Sequence, residues 1–291
     1  MEKKVGFHPR SYHSTRYDLV GLAEVHAPLK ELIRSVHGQL TLDFANPAAV
    51  KALNTALLKH FYGIKWWDIP AGFLCPPVPG RADYVHSIAD LLLEEQGAQV
   101  KILDVGVGAN TIYPLLGHQL YGWCFVGSDV DAQSLSAAQK ILQMNPELAG
   151  SIELRLQPNT TCIFENVIKA GEKFSATLCN PPFHTSAAEA RAGSERKQKK
   201  LGLKKSPQLN FGGQSNELWC EGGEVAFLGK MVEESVHFGR QCRWFTTLVS
   251  KGEHLPKLRS MLACVRPLEV RVIEKAQGQK KARILAWRFQ A

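Results

Sequence analysis

The sequence predicts an α/β fold of the doubly wound, Rossmann-like type, preceded by a small, mainly helical N-terminal extension. Three observations carry this prediction. An apolar run over 100–105 leads directly into Gly106-Val107-Gly108, a second run over 124–129 ends in an aspartate, and a third over 175–179 ends in Asn-Pro-Pro-Phe. Buried parallel strands are short, continuous apolar runs, and their carboxyl ends meet at one ligand-binding crevice. We therefore expect the three strand ends to share one site.

The first eighty residues are predicted to form the helical extension, and residues 81–291 the main domain. Apolar residues recur at near-helical spacing over 17–36 and over 48–61, which predicts two helices, and a short strand is expected between them at 40–44.

Two irregular segments flank these helices. The opening residues 7–16 mix basic and aromatic side chains without periodicity, so a mobile arm suited to wrapping nucleic acid is expected. The proline-rich link over 69–80 is predicted to be non-helical and to mark the domain boundary, with a helix following over 83–95.

The remaining elements of the main domain follow from the same patterns. An aspartate immediately before an apolar-periodic run is the usual N-cap, which predicts this role for Asp131. Residues 276–281 are expected to form a basic loop between the last two strands. Helices are predicted over 112–120, 132–144, 222–238 and 255–262, and strands over 152–156, 244–250, 270–273 and 284–289.

The glycine-containing turn after the first strand indicates a nucleoside-type ligand. Glycine lets the backbone approach a ligand closely, and Gly-x-Gly between a strand and a helix is typical of nucleotide-binding folds. The third glycine of the dinucleotide fingerprint is replaced here by Ala109-Asn110, which makes a pyrophosphate site less favoured. Asp104, at the end of the strand, points instead to an S-adenosylmethionine site.

Two further positions belong to this candidate cofactor site. Asp129 ends the next strand 25 residues after Asp104, the position from which a carboxylate accepts hydrogen bonds from both ribose hydroxyls. The loop after the third strand, which contains Thr160 and Thr161, is expected to lie over the adenine of the cofactor.

The tetrapeptide Asn180-Pro181-Pro182-Phe183 is the candidate catalytic motif. Two prolines remove two backbone donors and hold the chain extended, which fixes the flanking side chains. The Asn180 and Pro181 carbonyls can then both accept from one exocyclic NH2 group, while Phe183 stacks on the ring that carries it. A simple strand-ending turn is the alternative interpretation. The motif therefore favours transfer to a planar amino nitrogen.

Charge distribution and composition indicate the partner and the compartment. The net charge is +8, and the positive charge is concentrated in 184–215, with seven Lys/Arg against two Asp/Glu, and in 240–291, with twelve against three. A basic surface around an acceptor site suits a phosphate backbone, although a solvated lysine face would give the same charge pattern.

The seven cysteines form no C-x-x-C pair, and neither a signal peptide nor a membrane span is evident, so a metal-free, cytoplasmic protein is expected. A monomer is expected as well.

In its motifs the chain resembles class I S-adenosylmethionine-dependent methyltransferases that act on an amino nitrogen. It resembles more closely the ribosomal RNA large subunit methyltransferase F family, which makes N6-methyladenosine in 23S ribosomal RNA, and it is similar to the methyltransferase-like 16 proteins of eukaryotes. The segments that carry the resemblance span nearly the whole chain: 7–10, 42–44, 79–84, 104–110, 113–117, 180–183, 210–213 and 217–224.

This resemblance implies a seven-stranded, mostly parallel sheet and a role for individual residues. Gly106, Gly108 and Asn110 would line the methionine portion of the cofactor, and Arg81 would pair with its carboxylate. Asn180 and Pro181 would hold the adenine N6 beneath Phe183. The basic loop at 184–215 and the N-terminal arm would hold 23S ribosomal RNA or a large-subunit assembly intermediate while the base is extruded. The candidate RNA-binding residues are Arg10, Arg16, Arg191, Arg196, Lys197, Lys199, Lys200, Lys204 and Lys205.

Three alternatives remain open. Asn-Pro-Pro-aromatic also accepts a glutamine side-chain amide, so a protein methyltransferase is possible, although it would not need so basic a surface. A non-catalytic RNA-binding module is disfavoured by the intact Asn180, Asp129 and glycines. A nicotinamide dehydrogenase would leave Asn-Pro-Pro-Phe without explanation.

Overall fold

The N-terminal part begins with short elements of different type. The computed structural model describes residues 6–93, 99–186, 189, 215–277 and 280–290. Helix α1 (Leu19–Val25) is followed by a 3-10 helix (Ala27–Leu32) and by an antiparallel hairpin of β1 (Ile33–Val36) and β2 (Gln39–Leu42).

The single helix predicted over 17–36 is therefore wrong. Pro28 lacks a backbone donor and lies in the first turn of a separate 3-10 helix. The apolar residues with near-helical spacing are therefore divided among α1, the 3-10 helix and β1.

Helices α2 (Pro47–Tyr62) and α3 (Val78–Leu91) complete the N-terminal part. The helix predicted over 48–61 is confirmed. Helix α3 begins five residues before the predicted helix because Pro79 stands in its first turn, where a missing N–H group has no helical partner to lose. The prediction that the whole proline-rich link is non-helical is wrong for its last three residues.

The segment 7–16 is packed against α2 and α3, so the expectation of a mobile arm is wrong. The His8 backbone nitrogen donates to Asp83 Oδ1 at 2.7 Å, and the side chain of His8 is buried. His13 is completely buried, and its Nε2 lies 2.7 Å from the Tyr62 hydroxyl oxygen. Histidines in this segment therefore anchor the chain, an effect that a search for apolar periodicity does not detect.

The main sheet contains the strands that carry the site. Its strands are β3 (Lys101–Val105), β4 (Cys124–Asp129), β5 (Ile152–Leu156), β6 (Phe174–Cys179), β7 (Cys242–Val249), β8 (Glu269–Gln277) and β9 (Lys280–Arg288). They are arranged in the order β5-β4-β3-β6-β7-β9-β8. The first five strands in this order are parallel, and β9 is antiparallel to β7 and β8. The predicted strands are confirmed, although β8 and β9 extend into the segment expected to be a basic loop.

From β3 the chain runs outward through β4 to β5, and it then crosses back to β6, which lies on the other side of β3. This reversal makes the crevice between β3 and β6 the topological switch point, where ligands bind in open α/β sheets. Helices α4 (Ile112–Tyr121), α5 (Ala132–Gln143), α6 (Ser215–Leu218), α7 (Gly223–Ser235) and α8 (Leu255–Val265) accompany the sheet. None of the described helices is long and apolar enough to cross a membrane.

A hydrophobic core joins the N-terminal part to the sheet. It combines buried side chains of α2, such as Leu57 and Leu58, with Ile102 on β3 and Ala176 on β6. The helical extension therefore packs directly on the main domain. The boundary expected between residues 80 and 81 stays a prediction.

An ion-pair network connects β5 to the approach to β6. The Arg155 side chain is almost fully buried, and it donates from Nη1 to Glu172 Oε2 and from Nη2 to Glu172 Oε1, both at 2.7 Å. Nη2 also donates to Glu153 Oε2 at 2.7 Å. The hydrogen bonds from Arg155 lower the pKa of the Glu172 carboxyl to about 2.

We expect this network to make stability depend on acid pH. Because the pKa of Glu172 is depressed from its ordinary 4.5, its contribution is fully present above that value and is lost as pH falls toward about 2. The Glu172→Gln variant should be less stable than wild type by about 1–3 kcal/mol near neutral pH, with the difference shrinking in acid. Urea unfolding over a pH series measures it. Glu253→Gln is the control, because the Glu253 side chain is 72% exposed, and an equal pH dependence in both variants would contradict the expectation.

Candidate active site

The carboxyl ends of β3, β4 and β6 open into one cleft of about 410 Å³. Sequence-predicted site residues that line it are Arg81, Gly106, Gly108, Asn110, Asp129, Thr160, Thr161, Asn180 and Pro182. The structure thus brings together residues from five separate parts of the chain, as expected for the edge of a parallel sheet.

The glycine turn forms one wall of the cleft. Gly106 and Gly108 have φ of +76° and +63°, a left-handed conformation that residues with a Cβ atom rarely adopt. A Cβ atom on Gly108 would lie 3.2 Å from Asn110 Nδ2 and 3.4 Å from Glu217 Oε1. Glycine therefore keeps the cleft open at this point and lets a ligand approach the backbone.

Asp129 lies at the end of β4 and fixes the same turn. Its Oδ2 accepts from the Gly108 backbone nitrogen at 2.9 Å, and its Oδ1 accepts from the Asp131 backbone nitrogen at 2.9 Å. Burial raises the pKa of the Asp129 carboxyl. A carboxylate has about four acceptor sites, so Asp129 retains the capacity to accept from a vicinal diol in the cleft. Asp131 also caps α5, as predicted, by accepting from the backbone nitrogens of Gln133 and Ser134.

Asp104, on β3, is not among the residues that line the cleft. Its side chain is buried, and neither carboxyl oxygen has a hydrogen-bond partner among the described residues. Burial, together with repulsion by Asp129, raises the pKa of Asp104 well above its ordinary value, against the attraction of Arg81. A buried polar group without a partner is unfavourable by itself, so Asp104 marks a place where a bound group or water would complete the site.

Arg81, in α3, reaches the cleft from the N-terminal part. Its Nη1 donates to the Tyr113 hydroxyl at 2.7 Å and to Asn180 Oδ1 at 2.9 Å. The guanidinium carbon also lies 5.5 Å from the centre of the Tyr113 ring. Arg81 thus connects the candidate catalytic motif to Tyr113 at the start of α4.

The Asn-Pro-Pro-Phe motif follows β6 directly. Asn180 and Pro182 line the cleft, whereas Pro181 is buried and Phe183 is half-buried outside the lining. The roles expected for the Pro181 carbonyl and the Phe183 ring stay predictions.

The next residue, His184, forms a parallel bridge with Trp219. The His184 backbone nitrogen donates to Leu218 O at 3.0 Å, and its carbonyl accepts from Cys220 N at 3.1 Å. The segment after α6 is therefore paired with the end of the motif.

The loop after β5 forms the opposite wall. Thr160 and Thr161 line the cleft, and the Thr161 hydroxyl donates to Asn159 Oδ1 at 2.7 Å. The loop is anchored to α7 by Glu234, whose carboxylate accepts from the backbone nitrogens of Ile163 at 2.7 Å and Phe164 at 2.8 Å and also from that of Glu165. One side chain thus fixes the loop that carries both threonines.

We expect Glu234→Gln to loosen this wall. An amide offers one acceptor oxygen and turns an NH2 group toward backbone donors, so the change should destabilise the fold by about 1–3 kcal/mol and weaken cofactor binding. Urea unfolding and calorimetry with S-adenosylhomocysteine measure the two effects. Glu233→Gln, on the exposed neighbouring residue, is the matched control. Unchanged stability and affinity in Glu234→Gln would rule out the anchoring role.

Glu217 and Tyr113 are among the cleft residues that were not predicted as site residues. Glu217 lines the cleft, and its Oε2 accepts from the Leu74 backbone nitrogen at 3.1 Å, which ties α6 to the proline-rich link. Tyr113 lines it from α4. Both belong to segments that carried the family resemblance, which was the only signal in the sequence that could have identified them.

The candidate RNA-binding residues differ in what can be described. Arg10 binds Asp90 and His86 O, and its guanidinium lies 5.5 Å from the centre of the Tyr121 ring. Arg16 is exposed and donates to Gln39 Oε1 at 3.0 Å. The other candidates, Arg191, Arg196, Lys197, Lys199, Lys200, Lys204 and Lys205, lie outside the described residues. An RNA-binding role stays a prediction for all nine.

The residues present fit S-adenosylmethionine. Its carboxylate matches the Arg81 guanidinium, its ribose matches Asp129, and the glycine turn leaves room for a ligand against the backbone. In the described part of the chain, no group of three His, Cys, Asp or Glu side chains could hold a metal ion.

Comparisons with known proteins agree with this geometry. A family model described as RNA methyltransferase matches residues 1–291. "Ribosomal RNA large subunit methyltransferase F" of Escherichia coli O1:K1 is 56% identical over 291 residues, which cover 99% of this chain and 94% of that protein. The protein of the same name from Escherichia fergusonii has the same identity and coverage.

Solved structures of human METTL16 are similar along almost the whole chain. The catalytic domain in complex with MAT2A 3′UTR hairpin 6 has a TM-score of 0.83 at 28% identity and covers 98% of both chains. The N-terminal domain in complex with SAH has a TM-score of 0.79 at 27% identity and covers 98% of this chain and 99% of that one. These similarities confirm the predicted class I methyltransferase fold.

Proposed function

This chain belongs to the RNA methyltransferase family, and from that premise we propose that it methylates the N6 amino group of a specific adenosine in 23S ribosomal RNA. Family membership makes it an S-adenosylmethionine-dependent enzyme that acts on RNA. The finer proposal is supported by one observation above all. Asn180, whose Oδ1 is an acceptor suited to an exocyclic amine, lines the same cleft as Arg81, Gly108 and Asp129.

The chemistry requires positioning more than acid–base catalysis. The lone pair of an adenine amino group is delocalised into the ring, so the nitrogen is a weak nucleophile. Asn180 Oδ1 and the Pro181 carbonyl can accept hydrogen bonds from the two N–H groups of the amine. These bonds raise the electron density on the nitrogen and direct its lone pair into the cleft. The bound cofactor supplies an electrophilic methyl group on a positively charged sulfur. The nitrogen releases its proton to water after it is methylated, and no dedicated strong base is needed.

The substrate proposal also draws on charge. The chain carries a net charge of +8, and a phosphate backbone binds such a surface with a strong salt dependence. A base in structured RNA must leave its stack to reach the cleft, and unpairing costs a few kcal/mol, which contacts to the flanking RNA would offset. We further propose 23S ribosomal RNA or a large-subunit assembly intermediate as the substrate, and a cytoplasmic monomer as the enzyme.

The test is to identify the methylated product. Purified protein is incubated with methyl-labelled S-adenosylmethionine and ribosomal RNA that lacks this modification, and the digested nucleosides are separated. Label in N6-methyladenosine is expected. Label that survives ribonuclease and is found on glutamine in a protein fraction would overturn the RNA proposal in favour of the amide alternative.

A further inference from the structure

One nitrogen atom of Arg81 touches the candidate catalytic residue directly. Nη1 donates to Asn180 Oδ1 at 2.9 Å and to the Tyr113 hydroxyl at 2.7 Å, across 99 and 32 residues of sequence. The buried Tyr113 ring packs against the guanidinium and meets the Tyr84 ring edge-on, with centroids 5.4 Å apart. The guanidinium is therefore held between the start of α4 and the end of β6, at the junction of the two halves of the cleft.

This contact determines which way the Asn180 amide faces. An arginine has five N–H donors and no acceptor, so the oxygen and not the NH2 group of Asn180 must point toward Arg81. An amide oxygen has two lone pairs, so Oδ1 keeps one for an amine in the cleft. The reversed amide would place donors against both the guanidinium and the incoming amine. Arg81 thus selects the orientation in which Asn180 can accept.

The same contact makes the charge of Arg81 relevant to the amine. A guanidinium draws electron density from the oxygen to which it donates, and its positive charge repels an N–H group or a nitrogen that becomes positive. The two contacts described use Nη1, while Nε and Nη2 carry three more N–H groups. An anion bound to those groups would neutralise the guanidinium and leave Asn180 Oδ1 the stronger acceptor.

We propose that Arg81 is a positioning residue that couples the two subsites, so that a carboxylate-bearing cofactor on Arg81 tightens binding of the substrate amine at Asn180. The inference rests on the proposed function and deepens it. It predicts positive, reciprocal coupling between cofactor and RNA, because linkage requires each ligand to change the affinity of the other by the same factor.

The test compares RNA affinity with and without S-adenosylhomocysteine, supplied at saturation for each variant. Wild type should bind unmodified ribosomal RNA at least about 5-fold more tightly with this ligand. 5′-Methylthioadenosine, which lacks the amino-acid portion, should leave the RNA affinity of wild type almost unchanged. Arg81→Gln and Arg81→Lys are expected to lose the coupling, so that each variant binds RNA equally well with and without S-adenosylhomocysteine, because neither side chain can hold a carboxylate and Asn180 with one planar set of donors.

Tyr113→Phe is the matched control, since it removes the other partner of the same nitrogen but leaves Asn180 in contact. It should keep most of the coupling, and thermal unfolding of each variant checks the fold. The proposal would be overturned if S-adenosylhomocysteine did not change the RNA affinity of wild type, or if it changed the RNA affinity of wild type and of both Arg81 variants by the same factor. It would also be overturned if 5′-methylthioadenosine raised the RNA affinity of wild type as much as S-adenosylhomocysteine does. Absence of adenine methylation in wild type would instead overturn the proposed function.

Discussion

Asn180→Ala is expected to lower kcat for RNA methylation by roughly 10²–10³-fold, the loss typical when one preorganised polar group that acts on the reacting atoms is removed. Asn180 lines the cleft at the end of β6, and its Oδ1 is the acceptor to which Arg81 donates. The affinity for S-adenosylhomocysteine should change much less, because the glycine turn and Asp129 remain in place. Single-turnover methyl transfer and calorimetry measure the two quantities.

Asn180→Asp provides the matched comparison. A carboxylate keeps an acceptor oxygen at nearly the same place, but it forms an ion pair with Arg81, which competes with the amine for that oxygen. The expected order of rates is therefore wild type, then Asn180→Asp, then Asn180→Ala. An alanine variant as fast as wild type would show that Asn180 does not take part in the chemistry.

The sheet and the strand ends could be predicted because they depend on local sequence. Strands β3, β4 and β6 are buried on both faces, so each is a continuous apolar run that ends abruptly in Gly, Asp or Asn-Pro-Pro. Their convergence then follows from parallel topology alone. The candidate site residues Gly108, Asp129 and Asn180 could be found by this reasoning, and all three line the cleft.

The N-terminal part could not be predicted in the same way, since tertiary contacts decide it. His8 and His13 are buried because Asp83 and Tyr62, some 75 and 49 residues away in sequence, supply hydrogen bonds. Because the sequence does not show those partners, the mixed polar and aromatic segment was predicted to be a mobile arm. Pro79 was taken as a helix breaker, whereas its place in the first turn of α3 makes it compatible with a helix.

Contacts within the site were also hidden from the sequence. The bond from Arg81 to Asn180 and the approach of Glu217 to Gly108 join residues about a hundred positions apart. A motif states which side chains are present at a strand end, but the side chains that face it from other elements depend on how α3 and α6 pack. This is why the motif predicted the chemistry and missed Tyr113 and Glu217.

Gly108→Ala is expected to weaken binding of S-adenosylhomocysteine about tenfold or more, equivalent to ~1.4 kcal/mol. Gly108 has φ of +63°, which is unfavourable for alanine by about 1–2 kcal/mol. The new Cβ atom would also lie 3.2 Å from Asn110 Nδ2, closer than ordinary contact, and beside Glu217. Both effects would move the glycine turn and the backbone N–H group that Asp129 holds, and calorimetry measures the loss of affinity.

Gly150→Ala separates the two effects. Gly150 has φ of +79°, but a Cβ atom there meets nothing within 4 Å, and the residue does not line the cleft. This variant should lose a similar amount of stability in urea unfolding while its ligand affinity stays within about twofold of wild type. If Gly108→Ala also binds as wild type does, the turn at 106–108 is not the wall against which the cofactor lies. A loss in Gly108→Ala alone would assign the effect to the space and backbone geometry at Gly108, because the strain at a positive φ is common to both variants.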